Sequence, residues 1–216
     1  MNTELEIKFL DIDKNDLRKK LKNIGAKLVN EERLMRRKVF DYLDRRLEKE
    51  KAWIRVRDEG NKITLSYKIL MDRTLYGTKE IEVIVNNFEA TCDFLLASGF
   101  DMKSYQETKR ESWKYKGVEI DIDTWPWIPS FVEIEVNNGN ERNLRDFVDK
   151  LGFKWEDGLH GSIETTYQKY FNVTDKEIYS WDEMLLTETP DWLEVKRKKP
   201  LLHSLKTTPQ GFVPAP

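Results

Sequence analysis

The sequence predicts an α+β fold, a strand-rich body with about three helices packed outside it. Two observations carry this. At least six segments alternate apolar and charged residues at period two, the mark of half-buried strands. Between them lie segments with apolar residues at helical spacing, closed by glycines.

The elements follow in order. Leu5, Ile7 and Phe9 alternate with Glu4, Glu6 and Lys8, giving a strand with one apolar and one charged face. In DKNDLRKKLKNIGAKL, Leu17, Leu21 and Ile24 recur at helical spacing, with Asp13 or Asn15 as N-cap and Gly25 as stop. A second strand is expected near Lys38 to Tyr42, and DRRLEKEK reads as a charged loop. Ala52 to Arg57 and Ile63 to Lys68 alternate on either side of the turn DEGNK, as a hairpin does. Lys79 to Val85 is a further strand, and Phe88 to Phe100 a helix stopped by Gly99. Thr108 to Tyr115 and Val118 to Asp123 are strands joined at Lys116-Gly117. A proline-containing loop, Trp125 to Ser130, leads to the strand Phe131 to Val136. Leu144 to Leu151 and Ile163 to Phe171 read as helices, the second as the last. After Asn172 the pattern fades, and TTPQGFVPAP has no period of either kind. Residues 1–171 are therefore expected as the domain and 172–216 as a partly disordered C-terminal extension.

Composition narrows the function classes. Charged residues make up 35% of the 216, against about 25% in an ordinary globular chain. Lys plus Arg total 37 against 39 Asp plus Glu, for a net charge of -2. A global basic field for nucleic acid is absent, so the charge must be arranged locally. A single cysteine, Cys92, excludes an intrachain disulfide or a thiolate zinc cluster, and two histidines, His160 and His203, disfavour a His-based metal site. The opening MNTELEIKFL lacks the apolar run of a signal peptide, and no 18-residue apolar run exists. A cytoplasmic protein without a membrane partner is expected.

The charged strand faces are the strongest functional signal. Residues two apart on a strand share a face, roughly 6.6 Å from each other. Glu4 and Glu6 share one face, as do Glu80 and Glu82, Glu119, Asp121 and Asp123, and Glu133 and Glu135. Lys8, Arg55, Arg57, Lys68 and Arg110 supply cations on other strand positions. A solvated face mixes Thr, Gln, Lys and Glu, and for any one pair that bland explanation suffices. Like-charged pairs on strand after strand need counter-charges. A sheet curled into a barrel would bring both signs into a wet lumen. Such a lumen suits a hard divalent cation on carboxylates and a polyanion on Arg and Lys.

In this order the motifs resemble the CYTH family, also called triphosphate tunnel metalloenzymes. The run is Glu4-x-Glu6-x-Lys8, Trp53-Ile-Arg-Val-Arg57, Thr64 to Lys68, Glu80-x-Glu82, Arg110, Asp121-Ile-Asp123 and Glu133-Ile-Glu135, over about residues 1–171. The family holds class IV adenylyl cyclases, thiamine triphosphatases, inorganic triphosphatases and related RNA triphosphatases. The resemblance implies an eight-stranded antiparallel closed β-barrel with helices outside. It implies Mg²⁺ or Mn²⁺ on Glu4, Glu6, Asp123, Glu133 and Glu135, with Asp123 favoured over Asp121. It implies a small-molecule triphosphate on Lys8, Arg55, Arg57, Lys68 and Arg110, and a catalytic set of Glu4, Glu6, Lys8, Arg57 and Lys68. Glu80 and Glu82 would orient the basic side chains or add a metal contact. The expected activity is hydrolysis of a triphosphate group. The alternatives are cyclisation of ATP to cyclic AMP with release of pyrophosphate, and non-catalytic polyphosphate or nucleotide binding. Monomer and homodimer are both open. The chain departs from the family pattern at Arg37, which stands where many members carry Asp, at Thr108, where many carry Lys, and in WPWIPS, which replaces a glycine loop.

Other residues have plainer roles beside the functional ones. Trp113, Trp125 and Trp127 could stack a base but suit core packing better. His160 could act as a base, although an ordinary loop histidine is the simpler expectation. Lys169 could reach phosphate, and the run VKRKK could touch an anionic partner, while a solvated face explains both.

Overall fold

The computed structural model describes residues 2–136 and 141–199, with the backbone alone for residues 2–4. In chain order the elements are β1 (Asn2–Phe9), α1 (Lys14–Asn23), β2 (Lys27–Tyr42), α2 (Arg46–Lys49), β3 (Ala52–Asp58), β4 (Ile63–Leu70) and β5 (Thr78–Val85). Then come α3 (Phe88–Ala97), β6 (Phe100–Tyr115), β7 (Val118–Thr124), β8 (Phe131–Val136), α4 (Glu141–Lys150), α5 (Ile163–Tyr170), α6 (Asp175–Tyr179), β9 (Glu183–Met184) and α7 (Asp191–Glu194).

Eight strands pair antiparallel in the order β2-β3-β4-β5-β1-β8-β7-β6, and β6 pairs back onto β2. The sheet thus curls into the barrel-like form that the family resemblance implied, with helices outside. Its thinnest seam is β1–β5, where only Asn2 to Glu4 are paired. Beyond that point the edge of β1 is covered differently: Lys8 and Leu159 exchange backbone hydrogen bonds of 2.9 Å in both directions. "Closed" therefore describes the ring of pairings better than it describes this seam.

Local chemistry explains the elements. The Asp13 carboxylate accepts from the Asn15 and Asp16 amides and so caps α1. Lys116 and Gly117 both take positive φ, 45° and 83°, which a two-residue hairpin between β6 and β7 requires. Asp41, 1% exposed, accepts from the Tyr42, Leu47 and Glu48 amides and so caps α2 inside the stretch expected as a loop.

Three apolar clusters pack against the curled sheet, the third also giving Trp125, Ile178, Trp181 and Met184 to the cavity lining. Leu5, Ile7 and Phe9 of β1 join Ile120, Ile122, Val132 and Ile134 of β7 and β8 against α1 and α4. Phe40 and Val56 pack under Phe88, Cys92 and Leu95 of α3. Trp125 and Phe131 pack with Tyr167, Phe171, Ile178, Trp181 and Leu193. That last cluster uses α6, α7 and β9, which pairs parallel to β6 at Tyr105 and Gln106. The chain from Asn172 to Lys199 is therefore folded against the sheet where no period was read. The stretch TTPQGFVPAP lies outside the described residues.

Two strands are longer than the alternation showed. β2 starts at Lys27 and β6 at Phe100. β3 pairs with β2 only from Arg36 onward, so the first half of β2 has β6 alone as neighbour and little to bury. Leu28, Val29 and Leu34 stay exposed there, which removes the apolar and polar alternation.

Candidate functional site

Strand parity turns the charged residues inward. The apolar positions of β1, β7 and β8 are spent on the outer cluster, so their alternate residues face the lumen. Register then sets the neighbours. Glu6 lies opposite Glu135, which lies opposite Glu119. One step along, Lys8 faces Glu133, and Glu133 faces Asp121. Across the lumen Arg37 neighbours Arg57, Arg57 neighbours Thr64, and Lys68 neighbours Glu80.

The cavity within the curled sheet has a volume of about 560 Å³. Glu6, Lys8, Arg55, Arg57, Lys68, Arg110, Glu133 and Glu135 all line it. The structure thus brings together every site residue read from the sequence whose side chain is described, save one. Asp123 is 1% exposed and lies behind Arg110. Glu4 is in β1 by its backbone, opposite Thr78, and its side chain lies outside the described residues.

The cavity is a network of paired charges. Lys8 bonds Glu6, meets Glu133 at 3.4 Å and donates to the Gly161 carbonyl at 2.8 Å. Arg110 bonds Asp123 through Nε and Nη2, Asp121 at 2.7 Å and Glu133 at 2.7 Å. Arg55 reaches Glu80 at 3.3 Å, and Lys68 reaches the same carboxylate at 3.6 Å. Arg57 bonds Glu59 at 2.5 Å.

Titration follows from this pairing. Burial alone would depress the Lys8 ammonium, but Glu6 and Glu133 outweigh it and hold it above its ordinary value. Burial would raise the Glu133 carboxyl, yet Lys8, Arg110 and Lys68 hold it down to about 2. Asp123 goes the other way. Burial pushes it up to about 6, with Glu133 and Asp121 adding repulsion against the pull of Arg110.

An all-carboxylate donor set fits a hard divalent cation. Among the described residues, however, no three His, Cys, Asp or Glu side chains converge into a ready metal site. Glu6 and Glu133 share Lys8, whose ammonium stands between them as counter-charge. A cation on Glu6, Glu133 and Glu135 would take over part of that role.

The family scan matches the CYTH domain over residues 2–171. The chain belongs to the CYTH domain family. Members of this family are triphosphatases or adenylyl cyclases that depend on a divalent metal. A protein of Methanocaldococcus jannaschii whose name proposes an adenylate cyclase is 27% identical over 143 residues, 65% of this chain and 81% of the relative. A solved structure from Pyrococcus horikoshii superposes with a TM-score of 0.61 at 24% identity, over 72% of this chain and 93% of that one. One from Hippeastrum, described as having a dominant triphosphatase activity, gives 0.55 at 13% identity, over 88% of this chain and all of that one. These two structures share the CYTH fold.

Several charged lining residues were not read as site residues from the sequence, Arg33, Arg37 and Glu59 among them. Arg33 and Arg37 sit in RLMRRK, where charge falls on both parities, and Glu59 sits in the turn after β3. The register of the DEGNK turn was the one signal that could have found Glu59. Burial would raise its carboxyl, but Arg57, Lys62 and Arg110 hold it low.

Trp113 and Trp125 are buried, and Trp127 packs against Trp181 with ring centroids 5.7 Å apart. His160 lies against the edge of β1, with Nδ1 3.2 Å from the Glu6 carbonyl oxygen. No helix of the described residues is long and apolar enough to cross a membrane.

Proposed function

We propose that the chain is a divalent-metal-dependent phosphohydrolase acting on a triphosphate group held in the cavity. One observation carries this: Lys8, Arg55, Arg57, Lys68 and Arg110 face a single cavity together with Glu6, Glu133 and Glu135. Arginine forks bind phosphate oxygens in pairs, and lysine serves as a point charge. Fixed on the lumen wall, these cations would stabilise charge developing on the leaving phosphate. A tunnel carboxylate accepts a hydrogen bond from the attacking water and aims it in line. Mg²⁺ or Mn²⁺ on Glu6, Glu133 and Glu135, with Glu4 in support, would neutralise phosphate oxygens, while Asp123, behind Arg110, would hold that guanidinium in place.

A second reading, cyclisation of ATP, is favoured by the name of the Methanocaldococcus jannaschii relative. Trp113, Trp125 and Trp181 pack in apolar clusters yet also line the cavity beside Trp53, so the products formed separate the two readings. The test is product analysis after separate incubation with tripolyphosphate, thiamine triphosphate and ATP, with Mg²⁺ or Mn²⁺. Orthophosphate release is expected. Cyclic AMP with pyrophosphate would establish the second reading, and tight binding without turnover would refute both.

A further inference from the structure

Every other buried or half-buried cation on the cavity wall meets a carboxylate within 4.0 Å. Arg37 does not, among the described residues. It is 4% exposed, deep in β2, and lines the cavity. Its guanidinium lies 4.5 Å from the centre of the Trp125 ring, and Nη2 donates to the Thr108 hydroxyl at 2.7 Å. Its Nε is buried with no hydrogen-bond partner. Burial, Arg55, Arg57 and Arg110 all oppose its charge, and the pull of Asp123 falls short. The folded protein thus keeps a desolvated guanidinium among three others, held by one hydroxyl and one ring face. A buried charge needs a partner, and a buried donor needs an acceptor. Trp125 fixes the plane of the fork, so that its remaining donors are set before anything arrives.

Resting on the proposed triphosphate reading, we infer that Arg37 is a phosphate-binding residue of this cavity, its missing counter-charge being supplied by a phosphoryl oxygen of the bound polyphosphate. Two consequences follow. Anion binding at Arg37 needs no metal. The empty protein is also strained by the very group that strengthens binding, so neutralising Arg37 separates stability from affinity.

The test uses the full chain in metal-free buffer with chelator, and tripolyphosphate as probe. Affinity is read by calorimetry and unliganded stability by thermal melting. R37M should weaken tripolyphosphate by roughly ten- to hundredfold, as expected for a lost charge-assisted hydrogen bond, while the unliganded midpoint stays level or rises. R37K should recover part of the affinity, since it keeps the charge and loses the fork. R37M binding as tightly as the parent would overturn the inference. So would R37M failing to fold or melting markedly lower, because Arg37 would then be needed for its packing on Trp125. A parent chain that does not bind tripolyphosphate at all would instead remove the tunnel reading itself.

Discussion

The two walls of the lumen handle charge in opposite ways. On β1, β8 and β7, carboxylates stand side by side in register, Glu6 by Glu135 by Glu119 and Glu133 by Asp121. Two cations, Lys8 and Arg110, are threaded among them and bond two or three carboxylates each. On β2 and β3 the excess is positive. Arg37, Arg55 and Arg57 are neighbours, and carboxylates reach Arg55 and Arg57 from β5 and from Glu59. Arg37 receives none among the described residues. The acidic wall is thus offset only in part from within, two cations among five carboxylates, while the basic wall keeps at Arg37 a charge with no carboxylate partner among the described residues. On the proposed reading, the first would hold the metal and the second the polyanion.

The largest expected effect breaks the acidic wall. R110M leaves Asp121, Asp123 and Glu133 facing one another without their shared guanidinium. Removing one partner of a buried pair costs about 3–5 kcal/mol, to be read as a lowered urea midpoint at unchanged slope. The same change at Arg37 should cost nothing, and equal losses at both positions would erase the contrast.

A pH series sharpens it. The Glu133 carboxyl is held at about 2 in the folded protein, against an ordinary 4.5. A lowered folded pKa contributes stability that is full above about pH 4.5 and is lost as pH falls toward 2. Stability of the parent should therefore fall between pH 5 and pH 3 more steeply than that of E133Q. Parallel curves would mean that the wall does not hold this charge.

These contrasts could be read only partly from the sequence. β1, β7 and β8 bury one whole face, so burial imposes alternation and parity places each carboxylate. The hairpin of β3 and β4 was legible for the same reason. The first half of β2 was not, because a strand with one neighbour and exposed apolar residues carries no period. Nor was the chain from Asn172 to Lys199, where Ile178, Met184 and Leu193 are buried singly from elements of five residues or fewer. The site was legible as a set of inward charges. Who pairs with whom was not, since Glu59 and Arg37 enter through a turn and a bulged strand pairing.

The smallest effect concerns the apolar layer behind the basic wall. Burial on the sheet-facing side of α3 pushes the Cys92 thiol up to about 11. At pH 8 its alkylation by iodoacetamide should run on the order of a hundredfold slower than that of a free cysteine. Reaction at the free rate would mean that α3 does not stay docked on the sheet.

The central claim is the division of labour between carboxylates and cations, and metal titration of two variants tests it most directly. Turnover of tripolyphosphate would be measured against Mg²⁺ for E6Q and R57A. E6Q should lose roughly a hundredfold or more, as expected when a few kcal/mol of metal-borne charge stabilisation goes, and should regain part of it at high Mg²⁺. R57A should instead raise KM and stay unresponsive to added metal. Near-parental turnover of E6Q at low Mg²⁺, or rescue of R57A by metal as complete as that of E6Q, would contradict the assignment of roles.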